Sequence, residues 1–167
     1  MKYTIDILMG SQSDLVIMTP AIDIIQSFGV KCTVNVLSAH RTPHETIAFV
    51  EQSTSDVFIA GAGGAAHLPG VIAGITTKPV IGVPINAAIS ISGIDSLLSI
   101  VQMPPGVPVA TVGINGAKNA GILAIQILGV ADPDIQKQLI QFKADQRQAV
   151  LAANEAIQNQ AIHTSKP

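Results

Sequence analysis

"YTIDILMGSQSDLVIMTPAIDIIQSFGVKCTVNVL", residues 3–37, sets an apolar, β-rich run at each end of a segment with helical spacing. Leu15, Met18, Ile22, Ile25 and Phe28 fall on one helical face, and Gly29 supplies the stop. Pro20 interrupts that pattern and is expected to kink the helix, since it removes one N–H and crowds the preceding turn. The alternation continues down the chain. Further apolar runs stand at "DVFIAGA" (56–62), "PVIGVP" (79–84) and "PVATVG" (108–113), with helical candidates at 43–54, 93–102 and 116–128. Strands buried on both faces and alternating with helices predict a doubly wound α/β fold around a parallel sheet. After Gly129, residues 132–160 are the most charged part of the chain and helical, with Asp132 as N-cap and Pro133 at the first helical position. No repeat or linker is visible, so residues 1–167 are expected to form a single catalytic domain with 132–160 as a helical extension.

Composition narrows the function. Hydrophobic residues make up 48% of the 167, but charged residues only 12%, about half of the usual ~25%. So few charges leave little polar coat for a monomer, which predicts a homo-oligomer. A formal net charge of −2 without a basic cluster argues against a nucleic-acid partner, and one Tyr, four Phe and no Trp against base stacking. The lone Cys32 excludes an intramolecular disulfide and a cysteine metal cage, and is expected to be a small buried hydrophobe. The N-terminus carries Asp6 within its apolar run and no cleavage signature. Residues 57–77 lack Asp, Glu, Lys and Arg, but Gly63-Gly64, His67 and Pro69-Gly70 break them into a strand, a loop and a short helix rather than a membrane span. A soluble, cytoplasmic protein is expected.

In doubly wound folds ligands sit outside the carboxyl ends of the strands, so the segments after the first three strands carry the argument. In "MGSQSD" (9–14), Gly10 permits a tight turn, and Ser11, Ser13 and Asp14 open a helix. That is either ordinary N-capping or a phosphate site, with Asp14 better suited to a sugar hydroxyl. In "SAHRTP" (38–43), Arg41 suits bidentate phosphate binding and His40 can exchange a proton near neutral pH, or the two are a solvated pair beside a cap. His44 and His163 read as solvated surface residues. In "AGAGGAAHLPG" (60–70), the run of small residues allows close backbone approach to a ligand. His67 there is a second titrating group or, by default, a buried structural one.

Taken in order, "MGSQSD", "SAHRTP", "AGAGGAAHLPG" and "SGIDSLLSIVQMPPGVPVATVGI" (92–114) resemble the family of N5-carboxyaminoimidazole ribonucleotide mutase, the catalytic subunit of bacterial phosphoribosylaminoimidazole carboxylase. The resemblance spans roughly residues 3 to 150. It implies a three-layer αβα sandwich with a central parallel sheet, flavodoxin-like, assembled as a homo-octamer, with no metal, nucleotide or biotin. It also implies an enzyme of purine biosynthesis that moves a carboxyl group from nitrogen to a ring carbon of its ribonucleotide substrate. By the same resemblance His40 is the catalytic acid/base. Ser11, Ser13, Asp14, Ser38 and Arg41 bind the ribonucleotide, while Ala60, Gly61, Gly63 and Ala65 surround the reacting carboxyl group with His67 close by. Gln12 and His44-Glu45 depart from the family pattern outside the residues assigned to chemistry. The rival readings are direct carboxylation of 5-aminoimidazole ribonucleotide by carbon dioxide, a flavodoxin-like binding module, which would want aromatic residues to stack on flavin, and a phosphoacceptor domain, which would want acidic strand ends.

Overall fold

The computed structural model describes residues 2–164, with side chains as far as residue 160; the expectation for the His163 side chain falls outside them. Five parallel strands form one sheet: β1 (Thr4–Met9), β2 (Lys31–Val36), β3 (Val57–Gly63), β4 (Val80–Ile85) and β5 (Ala110–Thr111), in the order β2-β1-β3-β4-β5. The connections run through α1 (Leu15–Ser27), α2 (Pro43–Gln52), α3 (Leu68–Ile75) and α4 (Ile94–Val101), followed by α5 (Ala117–Gly129) and α6 (Pro133–Thr164). The order is that of flavodoxin-like sheets, whose winding reverses between the first and third strands. The uncharged stretch 57–77 resolves into β3, a loop and α3, and among the described residues no helix is long and apolar enough to cross a membrane.

Two compact units are present, one ending at Leu128 and the other starting at Gly129. In the first, β3 and β4 are almost wholly buried, whereas β2 is an edge strand with Val34 and Val36 exposed. Burial on both faces therefore holds at the centre of the sheet and fails at its rim. Cys32 lies on this edge strand and is half-buried rather than buried. Alternation sends Leu8, Phe58, Ala60 and Ala62 to one face, packed with Ile72 of α3 and Ile100 of α4. Gly61 points the other way, where a methyl group would come within 2.5 Å of Met18 Sδ on α1. Asp6 is buried in β1 and accepts hydrogen bonds from Thr33 Oγ1 at 2.6 Å and from Ser53 Oγ. In the second unit Asp132 caps α6 as expected, its Oδ1 accepting from the N–H groups of Asp134 and Ile135.

α1 departs from the sequence pattern in one respect. Its buried residues are Met18, Ala21, Ile24 and Ile25, while Leu15 is exposed and Ile22 only half-buried. α5 selects this face, because Gly121 lets it approach so closely that a methyl group there would lie 2.4 Å from Ile24 Cγ2 and 3.0 Å from the Ala21 carbonyl. Pro20 lies inside the continuous helix on its exposed side, where water can reach the carbonyl it leaves unpaired. Gly29, at φ +70°, closes the helix as predicted, with Val30 N–H donating to Ile25 O and Gly29 N–H to Gln26 O. β5 is shorter than its apolar run, with Ala110 and Thr111 opposite Ile81 and Gly82.

These contacts predict opposite signs for one substitution at two helical glycines. Gly121→Ala overpacks the α1–α5 seam and lowers stability by about 1–3 kcal/mol, despite the better helix propensity of alanine. Gly74→Ala, on α3 with nothing within 4 Å, raises it by about 0.5–1 kcal/mol. Denaturant midpoints of the two variants measure both; destabilisation at Gly74 or stabilisation at Gly121 would contradict the packing described.

Candidate active site

Four loops at the carboxyl ends of β1 to β4 enclose a cavity of about 450 Å³. β1 ends in the Gly10 turn and a single 3₁₀ turn, Gln12–Asp14, that leads into α1. Its cap is reciprocal: Ser11 N–H donates to Asp14 Oδ2 at 3.1 Å, and Ser13 N–H to Ser11 Oγ at 3.3 Å. The β2 loop is folded by Thr42, whose Oγ1 accepts from Ser38 N–H at 2.8 Å while its own N–H donates to Ser38 O. This tight loop projects His40 and Arg41 outward, and Pro43 then starts α2.

The two histidines meet across the cavity. His40 Nε2 lies 2.8 Å from His67 Nδ1, with ring centroids 4.9 Å apart and planes at 78°. One nitrogen donates and the other accepts, according to the tautomers of the two rings, which leaves the outer nitrogen of each ring for a ligand or water. His67, expected by default to be buried, is exposed at the residue just before α3, and His44 is exposed as expected. Ala66 stays packed in the core, and His67 directly after it turns outward at the start of α3.

Arg41 is held before any ligand arrives. Its Nη2 donates to Gly10 O, and its Nε and backbone N–H both donate to Ser38 Oγ at 3.3 Å. These bonds tie the β1 loop to the β2 loop and occupy only part of a five-donor fork, so several N–H groups remain for an anion. The guanidinium also reaches Asp14 electrostatically.

Asp14 is only 7% exposed. Burial is the largest influence and pushes its carboxyl above the ordinary carboxylate range, opposed by the Ser11 amide, the Ser13 hydroxyl and the Arg41 charge. For an acid whose folded pKa is raised, the folded state binds more protons, so stability falls as pH rises through the interval from the unfolded value to the folded one. Asp14→Asn removes that penalty. Its thermal midpoint should exceed that of the wild type at pH 7 and match it near pH 3; a midpoint that falls at pH 7 would show the carboxylate to be structural.

Of the candidate residues, Ser11, Ser13, Asp14, Ser38, His40, Arg41, Gly63, Ala65 and His67 all line this cavity. Ala60 and Gly61 do not. They lie fully buried within β3, Ala60 in the apolar core and Gly61 beneath Met18. Small residues there serve the packing of α1 and α3, and only the end of the run reaches the ligand space. The sequence reading passed over the fourth loop, which brings Ala87, Ala88 and Ile89 to the cavity. Its signal was present in the uncharged "NAAIS" (86–90) directly after the fourth apolar run.

Residues 4–149 match the family model described as AIR carboxylase. The N5-carboxyaminoimidazole ribonucleotide mutase of Methanocaldococcus jannaschii is 53% identical over 151 residues, covering 90% of this chain and 95% of that protein. That of Pyrococcus abyssi is 53% identical over 146 residues, covering 86% of this chain and 83% of the other. The crystal structure of Treponema denticola PurE superposes with a TM-score of 0.81 at 24% identity over 92% of this chain and 98% of that one, which shows the same fold. With a family match across most of its length and relatives at this level of identity, the chain belongs to the AIR carboxylase family.

Proposed function

We propose that the protein is a mutase of purine biosynthesis converting N5-carboxyaminoimidazole ribonucleotide to 4-carboxy-5-aminoimidazole ribonucleotide. The observation that carries the reading is the His40–His67 pair, set at 2.8 Å across a cavity walled by Gly63, Ala65, Ala87 and Ala88 and flanked by Arg41. The M. jannaschii and P. abyssi relatives bear the name of this mutase.

The chemistry follows from these groups. The carbamate N–C bond breaks as a proton from the histidine pair reaches the exocyclic nitrogen, giving a free amine and carbon dioxide. The electron-rich ring carbon attacks the trapped carbon dioxide to form the new C–C bond. The proton displaced from that carbon returns to the pair, restoring aromaticity, so His40 acts first as acid and then as base. Sharing the proton with His67 lets His40 give it up and regain it without recruiting solvent. Small apolar walls leave room for carbon dioxide and little for ordered water. Arg41 and the β1 loop anchor the phosphate and fix the ring against His40, and Asp14 takes a ribose hydroxyl. Atoms and charge are conserved within one substrate, so the reaction consumes no co-substrate.

The reading extends to assembly. Ile91, Ile94, Leu98 and Val101 stay exposed along α4 and the loop before it, by 76%, 49%, 53% and 48%, a stripe that a second copy of the chain would cover. The reading takes residues 1–167 as a single catalytic domain, with 132–160 as a helical extension, that acts in the cytoplasm as a homo-octamer. Light scattering should give the mass of eight chains; the mass of one would contradict it.

Purified protein supplied with N5-carboxyaminoimidazole ribonucleotide, without ATP or bicarbonate, should form the ring-carboxylated isomer. His40→Asn should lower kcat by ~10²–10⁴. Arg41→Lys should raise KM with little change in kcat, because the planar fork is lost. Failure of the wild type to convert this substrate, together with carboxylation of 5-aminoimidazole ribonucleotide when carbon dioxide is supplied, would replace the mutase reading with direct carboxylation.

A further inference from the structure

Just beyond the paired ends of β3 and β4, one hydroxyl occupies the place of a backbone rung. Phe58, opposite Val80, donates its N–H to Pro79 O at 3.0 Å. The parallel ladder repeats this pattern every second residue, which puts Gly64 N–H in phase to donate to Ile85 O. It donates instead to Ser90 Oγ at 3.0 Å, and Ser90 Oγ lies 3.2 Å from Ile85 O. Ser96, fully buried, donates its own hydroxyl to the same carbonyl at 2.9 Å and lies 3.0 Å from Ser90 Oγ. A carbonyl oxygen with two lone pairs accommodates both hydroxyls. Ser90 thus stands between the strands as a bridging water would, at the point where the cavity opens.

Two consequences follow for the glycine loop. Gly64 turns into the left-handed region at φ +62°, with Ile89 packed so near that a methyl group would meet its Cδ1 at 3.0 Å. Its N–H is also committed to Ser90 and withdrawn from any ligand. The next two amides, of Ala65 and Ala66, have no hydrogen-bond acceptor among the described residues.

We propose that Ser90 is a positioning residue whose hydroxyl wedges β3 from β4 and fixes the loop that offers the Ala65 and Ala66 amides to the migrating carboxyl group. The inference rests on the mutase reading for the identity of that group, while the wedge itself rests on geometry alone. Amides that hold a carboxylate in the bound substrate contribute to ground-state binding, so their displacement appears in KM more than in kcat.

The test compares Ser90→Ala, Ser90→Thr and Ser96→Ala in mutase turnover and in amide exchange at Gly64 followed by NMR without substrate. Ser90→Ala should raise KM about fivefold to tenfold, as expected for one lost neutral hydrogen bond, hold kcat within about threefold, and speed Gly64 exchange. Ser90→Thr, which keeps the hydroxyl, should restore both. Ser96→Ala leaves Gly64 held by Ser90 and should lower the thermal midpoint without moving KM. A wild-type KM in Ser90→Ala, measured beside an active wild type, would overturn the positioning role and leave the mutase reading intact. If the wild type fails to turn over, the mutase reading falls and exchange decides the wedge: unchanged Gly64 exchange in Ser90→Ala overturns it, and faster exchange supports it.

Discussion

A strand that nearly lacks side chains at its carboxyl end is the constraint from which the rest of the structure follows. β3 enters the sheet with Val57, Phe58 and Ile59 and leaves it as Ala60, Gly61, Ala62, Gly63. At Gly61 the missing side chain admits Met18 and Ile85; at Gly63 it admits Ala87, whose Cβ would lie 2.6 Å from a methyl group there. Larger residues would hold α1 and the fourth loop away, and the cavity would lose its walls. One stretch therefore serves the core at its start and the ligand space at its end. Close packing tolerates no intermediate arrangement, because an interior at crystal density registers even a single methylene.

The site sets few charges against a largely apolar wall. Arg41 uses part of its fork on Gly10 O and Ser38, which ties two loops together before any ligand arrives. Less order then remains to be imposed when the ligand binds. Asp14 sits nearby, desolvated but bonded to the Ser11 amide. The histidine pair shares their cavity with glycine and alanine. Such a wall suits a neutral, apolar intermediate such as carbon dioxide, because it presents no cation that would favour the carbamate over it.

Much of this was legible in the sequence because period and punctuation agreed. Each of the five apolar runs became a strand, and Gly29, Pro43 and Asp132 acted at the helix ends where their chemistry placed them. The failures share one physical origin, tertiary contact. The face that α1 buries was chosen by Gly121 on a helix far along the chain. From its own stretch His67 read either as a second titrating group or, by default, as a buried one; only the resemblance put it near the site, where its Nδ1 lies 2.8 Å from His40 Nε2. Ala60 and Gly61 sit in the same small-residue run as Gly63 and Ala65, and composition within the run does not mark where strand gives way to loop. The Ser90 wedge was invisible for the same reason, since its partners are Gly64, just past the end of β3, and Ile85, the last residue of β4.

Whether the migrating carboxyl group stays within the cavity can be asked by isotope. N5-carboxyaminoimidazole ribonucleotide of natural abundance would be converted in buffer containing ¹³C-labelled bicarbonate, with the product carboxyl analysed by mass spectrometry at early turnover. Retention of the original carbon, with negligible label in the product, is what recapture of carbon dioxide before it leaves the cavity predicts. Label entering the new carboxyl group in proportion to the bicarbonate present would mean that carbon dioxide exchanges with solvent before the ring attacks it, and the account of this site as an intramolecular trap would be wrong.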